Sequence, residues 1–530
     1  MEKTQPWWER GIIYQIYPRS FMDSNGDGIG DLAGVASKLD YLKWLGVDIL
    51  WLCPFYPSPM ADFGYDISDY TDVDPVFGTL ADFDCLLAEA HRRDLRVILD
   101  FVPNHTSDRH FWFAESRSSR ENRRRDWYIW RPPVGGGPPN NWLSTFGGSA
   151  WELDRKSGQF YLHTYLKEQP DLNWRNPQVR EAMFANMRFW LERGVDGFRL
   201  DALWHIMKDG ELRDNPPDPD YRPGGKPYQA LQALYCGDRP EIHPLLRSMR
   251  ELVDGYGDRL LVGELYLPID RLVNYYGSAG QPEIHLPTNF HLITTPWRAR
   301  AVAGTIDRSE AALPPGAWPH FALGNHDRPR LASRAGEGQA RVAAMLLATL
   351  RGTPSLYYGD ELGMPDVPVP PEEVKDPWEK NCPGKGLGRD PVRSPMPWDD
   401  SENAGFSAGR PWLPLTADWR SRNVAAQQSD PGSLLNLYRR LIALRRQEPA
   451  LRSGTYRPIP AGGDFLLFFR EDGGRRLLVA LNFRSGAGAW RSRGDPAGRI
   501  LLSTFLDREG ERFRGRLELR GNEGVIAEIE

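Results

Sequence analysis

One rhythm constrains this chain more than any other feature: a short apolar run, then a helix-period segment, repeated. Runs of strand length lie at 12–17, 47–53, 96–102, 197–201, 260–265, 288–292, 320–323 and 353–358. Segments with helical spacing follow most of them, at 32–45, 80–93, 177–193, 240–256 and 341–350, with a last helix at 433–446. In the first of these, Leu39, Leu42 and Leu45 share a face. Asn176-Pro177 reads as an N-cap with a first-turn proline, and Gly194 as a stop. Parallel strands need such crossover connections. Eight units predict a (β/α)8 TIM barrel. A doubly wound sheet also alternates, and periodicity alone leaves both open.

Two stretches break the rhythm. Between the third and fourth strands the chain runs through about seventy residues rich in Gly, Pro, Asn, Trp and Arg, for example RPPVGGGPPNNW at 131–142. A structureless loop of that length is improbable, so residues 105–174 are expected to form an inserted domain at the barrel mouth. Its basic cluster Arg117, Arg120, Arg123, Arg124 and Arg125 reads as a solvated face. Residues 366–403 form a second irregular stretch. After Pro449 the runs shorten, at 465–469, 476–481, 516–519 and 525–529, with Gly-rich turns between them. This predicts a C-terminal antiparallel β-sandwich. The expected domains are therefore a barrel from 1–104 and 175–449, an insertion from 105–174 and a β domain from 450–530.

Composition narrows the function. The net charge is −5 from 66 Lys+Arg and 71 Asp+Glu, which speaks against nucleic acid as a partner. No run of 18 apolar residues suggests a membrane span, and the first ten residues lack the apolar core of a signal peptide. The four cysteines, Cys53, Cys85, Cys236 and Cys382, are scattered, which reads as a cytoplasmic protein with free thiols. The 19 Trp and 20 Tyr side chains suit core packing, and also a polyhydroxylated ligand. A monomer or homodimer is expected.

Barrel enzymes carry catalytic groups at the C-terminal ends of their strands. The third strand ends in DFVPNH (100–105), the fourth in GFRLDA (197–202), the fifth leads into GELYLP (263–268), and the seventh ends in FALGNHD (321–327). Period-2 geometry puts Arg199 and Asp201 on one side of their strand. A barrel would then gather Asp201, Glu264 and Asp327 at one mouth, near Arg199, His105 and His326. Crowded carboxylates cannot all ionise easily, so one becomes an acid. A carboxyl pair about a sugar bond is the equipment of glycoside hydrolysis.

These four motifs, in this order, resemble the signature regions of the α-amylase family, glycoside hydrolase family 13. GVDILWLCP (46–54) agrees, and QPDLN (169–173) resembles the oligo-1,6-glucosidase and α-glucosidase branch. The resemblance runs from Tyr14 to Phe406, and the C-terminal β domain fits it. It implies a retaining mechanism with Asp201 as nucleophile, Glu264 as acid and base, and Asp327 holding the 2- and 3-hydroxyls. Arg199 would orient Asp201, and His105 and His326 would donate to the glucosyl hydroxyls. Asp62 and Tyr65, in PMADFGYDISDY (59–70), match the clamp on the non-reducing end; Arg393, in VRSPMPW (392–398), matches the arginine paired with that aspartate. Phe146 would line the leaving-group side, and His205, four residues past Asp201, faces it or packs in the core. A closed pocket implies exo-action. In this branch valine after the nucleophile goes with α-1,6 substrates and alanine with α-1,4; Ala202 therefore points to maltose-type linkages, with sucrose as a further substrate.

The stretch from Asp23 to Asp31 spaces oxygen side chains as a calcium loop does, with Gly28 at position 6 but Gly34 at position 12. The resemblance implies one structural divalent cation, Ca²⁺ or Mg²⁺, on Asp23, Asn25, Asp27, the Ile29 carbonyl and Asp31. No organic cofactor is expected. Two other activities fit the same scaffold: a dedicated glucosyltransferase or glucosyl-isomerising enzyme, and an oligo-1,6-glucosidase. A non-catalytic barrel scaffold is a third alternative, set against the presence of all three acids and the absence of an anchor.

Overall fold

The computed structural model describes residues 5–491 and 496–530. The leader expectation rests partly on residues 1–4, which lie outside them. Eight parallel strands close into a barrel: β1 Ile13–Ile16, β2 Ile49–Leu52, β3 Arg96–Phe101, β4 Gly197–Leu200, β5 Leu260–Leu265, β6 Leu286–Asn289, β7 His320–Ala322 and β8 Thr353–Tyr357. Each pairs with its neighbours in sequence order and β8 pairs with β1. The open doubly wound sheet is thereby excluded. β6 begins two residues before its expected start, and the chain turns into a helix at His291–Thr294. All four β6 residues are buried, so no alternation marked where the strand ended.

The flanking helices follow from local chemistry. Thr79 and Asp82 form a capping box on Leu80–Arg92, Asn176 caps Pro177–Glu192, and Ser433 caps Leu434–Gln447. The segment expected as one helix at 32–45 breaks at Lys38, giving Leu32–Ser37 and Leu39–Leu45.

Inside the barrel, alternation separates stability from chemistry. Ile13, Ile49, Trp51, Ile98, Leu260, Val262 and Leu286 form one apolar cluster that fills its lower part. Two residues further along the same inward rows stand Gln15 after Ile13, Asp100 after Ile98 and Glu264 after Val262. Asp100 is in register with Arg199 across β3 and β4. β4 starts at Gly197 (φ 151°), where a Cβ would fall 2.0 Å from the Leu260 carbonyl oxygen. Only glycine admits that approach of β5.

The insertion carries a three-stranded antiparallel sheet, Trp130–Arg131, Gln159–Leu162 and Trp151–Asp154, with Gln159–Leu162 in the middle. Of its arginines, Arg117, Arg120 and Arg123 are exposed, as a solvated face requires, and Arg124 and Arg125 are half-buried. Arg117 pairs with Asp154 at 2.9 Å, Arg124 with Glu115 at 2.9 Å, and Arg125 lies 3.5 Å over the Trp130 ring. They bind the helix Phe111–Ser118 and its following turn to the sheet.

The C-terminal strands form one eight-stranded antiparallel sheet, from Thr455–Ile459 at one edge to Gly488–Arg491 at the other. Alternate residues of its central strands serve two cores. Leu466, Phe468, Leu477, Val479 and Ile526 join the main core, while Leu467, Leu478, Ala480 and Val525 pack with Leu517 and Leu519 of a distant strand. The two layers of the expected sandwich are thus continuous through a single sheet that folds over itself. The four cysteines are free thiols. Among the described residues no helix is long and apolar enough to cross a membrane.

Candidate active site

A cavity of about 430 Å³ opens at the C-terminal ends of the strands. Eight of the expected site residues line it: Asp62, Tyr65, His105, Phe146, Asp201, Glu264, His326 and Asp327. Arg199 and Arg393 lie directly behind its wall, each at most 1 % exposed. His205 also lines it, its Nδ1 3.2 Å from the Cys236 carbonyl oxygen.

Arg199 is the hub. Its Nη1 donates to Asp201 Oδ1 and to Asp100 Oδ1, both at 2.7 Å, and its Nη2 stands 3.0 Å from Glu264 Oε1. Arg199 also lies 4.9 Å over the Trp51 ring, whose Nε1 donates to Asp100. After Asp201 the chain turns sharply: Ala202 is left-handed (φ 47°), and its N–H donates to Glu264 Oε2 at 2.7 Å. The turn carries the chain away from the cavity while keeping both carboxyls at its floor.

Burial pushes Asp201 well above the usual carboxylate range; the Glu264 charge adds to this and Arg199 opposes it. Burial also raises Glu264, drawn down by Arg199 and pushed up by Asp327. Asp327 behaves oppositely. Burial would raise it, but His326, Arg389 and Arg393 together hold it below the usual range, so it is ionised. Arg393 Nη2 lies 3.1 Å and Arg389 Nη1 3.4 Å from Asp327 Oδ1. Burial holds His105 and His205 down to about 4, and His326 well below its ordinary value. All three are neutral at pH 7. Tyr65 OH joins Asp100 Oδ2 at 3.0 Å to His326 Nε2 at 2.7 Å, and Gln15 meets His326 Nδ1 at 2.7 Å.

One expected pairing is corrected. Asp62 is held by Arg389, at 2.5 Å, and not by Arg393. Arg389 also grips Asp376 at 2.6 Å, whereas Arg393 donates to the His326 carbonyl and to Asp327. A 3₁₀ turn at Asp390–Val392 lies between the two arginines and sends them to different acids. Phe146 lies under the Arg389 guanidinium at 5.1 Å and against Trp378 at 5.3 Å.

Residue-by-residue reading missed several lining groups. Trp204 and Tyr228 come from the long loop after β4, Tyr266 from the turn after β5, and Trp378 from the second irregular stretch. These loops have no periodicity to betray them. Asp100 and Arg389 were readable in principle, the first as a carboxylate in an inward row, the second as one of two arginines four apart.

The loop from Asp23 to Asp31 closes on its own hydrogen bonds. Asp23 accepts from the amides of Asn25, Gly26 and Gly28 and from Ser407 Oγ. Asp31 accepts from Ser24 and from the Gly34 amide. Asn25 and Asp27 each take one amide and are otherwise exposed. Among the described residues no three His, Cys, Asp or Glu side chains converge as a metal cluster. The donor chemistry, hard oxygens only, fits Ca²⁺ or Mg²⁺.

Comparison with known proteins gives the same picture. Residues 15–454 match the α-amylase catalytic domain family. A probable α-glucosidase of Rhizobium meliloti (strain 1021) is 43 % identical, the match covering 96 % of each chain. An oligo-1,6-glucosidase of Parageobacillus thermoglucosidasius is 42 % identical over 90 % of each chain. The crystal structure of an α-glucosyl transfer enzyme superposes with a TM-score of 0.94 at 42 % identity, covering 99 % of this chain and 100 % of the other. The chain is therefore a glycoside hydrolase that belongs to the α-amylase family, in the branch that holds the α-glucosidases and oligo-1,6-glucosidases.

Proposed function

We propose that this enzyme is a retaining, exo-acting α-glucosidase that releases terminal α-1,4-linked glucose from short α-glucosides such as maltose. The observation that carries this reading is the single Arg199 guanidinium bridging Asp201 and Glu264. It keeps the two carboxyls close, as a retaining mechanism needs. Asp201 attacks the anomeric carbon as Glu264 protonates the departing glycosidic oxygen, leaving a β-glucosyl ester on Asp201. Glu264 then takes a proton from water, which attacks the same carbon and frees Asp201. Burial raises both carboxyls, Asp201 the further, so the crowded pair shares a proton. The reaction starts from the form with that proton on Glu264, in which the 2.7 Å hydrogen bond from Arg199 supports the ionised Asp201. Asp327, ionised between two arginines, grips the glucosyl hydroxyls. His105 and His326 each direct their one N–H at Tyr65, and a glucosyl hydroxyl would take that donor over. The buried Asp62–Arg389 pair closes the blind end, which supports cutting from a chain terminus. Initial rates on maltose, isomaltose, sucrose, trehalose and maltotriose, with the anomer followed by NMR, test this. Inert maltose, or first-formed β-glucose, would sink it.

Ala202 sets the linkage preference in this reading. A valine there would add two methyls beside the Glu264 contact, in a left-handed conformation that β-branched residues resist. Ala202→Val is expected to lower the maltose-to-isomaltose ratio of kcat/KM by about 10-fold. An unchanged ratio would remove Ala202 from the specificity argument.

A second reading is favoured by the aromatic mouth, where Trp204, Tyr228, Tyr266 and Trp378 offer flat seats for an acceptor, and by the resemblance to a glucosyl transfer enzyme. A sugar hydroxyl would then replace water in the second step. Oligosaccharides outweighing free glucose on maltose would decide for it.

A structural divalent cation is also proposed, Ca²⁺ or Mg²⁺, held by Asp23, Asn25, Asp27, the Ile29 carbonyl and Asp31. It would add Coulombic closure to a loop otherwise held by hydrogen bonds. A cation present at 100 times its Kd stabilises by about 2.7 kcal/mol. EDTA is expected to lower Tm by a few degrees. An unmoved Tm, with no metal by elemental analysis, would refute the site.

A further inference from the structure

Lys208 is the one fully enclosed lysine on the loop after β4, 4 % exposed. Its ammonium lies 2.7 Å from Asp171 Oδ2 in the insertion and 2.7 Å from Asn104 Oδ1 after β3. The remaining acceptor sites of Asp171 are filled by the Thr164 amide, the Thr164 hydroxyl and Asn104 Nδ2. These neighbours leave Asn104 one orientation. Turned over, its NH₂ would face an ammonium that only donates, and its oxygen a carboxylate that only accepts.

Held this way, Asn104 Nδ2 points at His105 Nδ1 from 3.1 Å. His105 Nε2 lies 3.2 Å from the Tyr65 carbonyl oxygen and 3.1 Å from Gln169 Nε2. Gln169 is fixed too, since its Nε2 donates to Asp62 and its Oε1 accepts from the Leu166 amide. The neutral ring carries one proton. On Nε2, that proton satisfies Tyr65 while Nδ1 accepts from Asn104, two hydrogen bonds, at the cost of the Gln169 contact. On Nδ1, it would confront the Asn104 amide and leave only the Gln169 contact. The Nε2–H form wins. Its proton lies on the Tyr65 carbonyl at 3.2 Å, at the wall of the cavity that His105 lines, and a glucosyl hydroxyl there would share or replace that long bond.

We propose that Lys208 is a positioning residue: by fixing the Asn104 amide it selects the His105 tautomer that offers N–H to the glucosyl group. The role assigned to the sugar rests on the α-glucosidase reading; the tautomer does not. The test compares Lys208→Met with a Lys208→Met/Asp171→Asn double variant, which leaves no uncompensated buried charge. In both, kcat/KM on maltose is expected to fall about 10- to 100-fold, mainly through KM, with Tm of the double variant near that of the parent. Long-range ¹H–¹⁵N spectra of histidine-labelled enzyme without substrate should show His105 as the Nε2–H form in the parent and as a mixture in the variants. In a His105→Ala background the Lys208 substitution should cost little more, because it acts through the ring. Additive losses, or an unchanged His105 signature, would overturn the proposal. A parent inert on every α-glucoside would sink the activity assignment and leave the tautomer result standing.

Discussion

Asp201→Asn is expected to remove at least about 10³ of kcat on maltose while the protein still folds. Asparagine has the same shape and keeps an oxygen for the 2.7 Å hydrogen bond from Arg199, so the hub survives. What goes is the electron pair that forms the ester. Near-normal activity would overturn the nucleophile assignment. A sharper check uses Asp201→Gly with an aryl α-glucoside and azide. The vacated space admits the anion, which attacks the anomeric carbon while the aryl oxide departs. Restored turnover with a β-configured glucosyl azide identifies Asp201 as the attacking group. A merely structural carboxylate gives no such product.

Glu264→Gln should cost a comparable factor on maltose, within the span of about 10²–10⁴ for a lost general acid, yet far less in the first step on p-nitrophenyl α-glucoside. The sugar leaving group of maltose is a poor one without a proton, whereas nitrophenolate departs unaided. The second step still lacks its base, so the glucosyl ester should accumulate and release a burst of nitrophenol equal to the enzyme concentration. Burial raises Glu264 above its ordinary value, which favours the protonated form that a general acid needs. Equal losses on both substrates, without a burst, would exclude the assignment. Substituting Gln keeps an oxygen for the Ala202 amide, so the turn after β4 is preserved in the comparison.

The barrel was legible because its signal is local and repeated. Each strand is a short apolar run, and each helix carries its own period and often its own cap, as with Thr79 and Asn176. The acids at strand ends were legible for the same reason: Asp201 and Glu264 interrupt apolar runs at the position where a barrel opens. The pairing of Asp62 was not. Arg389 and Arg393 lie in an aperiodic stretch more than three hundred residues away, and one 3₁₀ turn decides which of them reaches it. The break at Lys38 was hidden as well, because Leu39, Leu42 and Leu45 keep helical spacing on one side of it.

By itself, then, the sequence determined eight strand–helix units, the β domain at their end and, through its motifs, the family whose fold is a barrel, because periodicity and motif spacing are properties of neighbouring residues. Closure of the sheet came from the pairing of β8 with β1. Only the tertiary structure decided which charges meet. Arg199, set beside Asp201 by their strand, also meets Glu264 and Asp100, Arg389 claims Asp62, and Lys208 bridges Asn104 and Asp171. Those contacts join strands and loops far apart in the chain. Their strength comes from exclusion of water, which exists only once the barrel has closed around them.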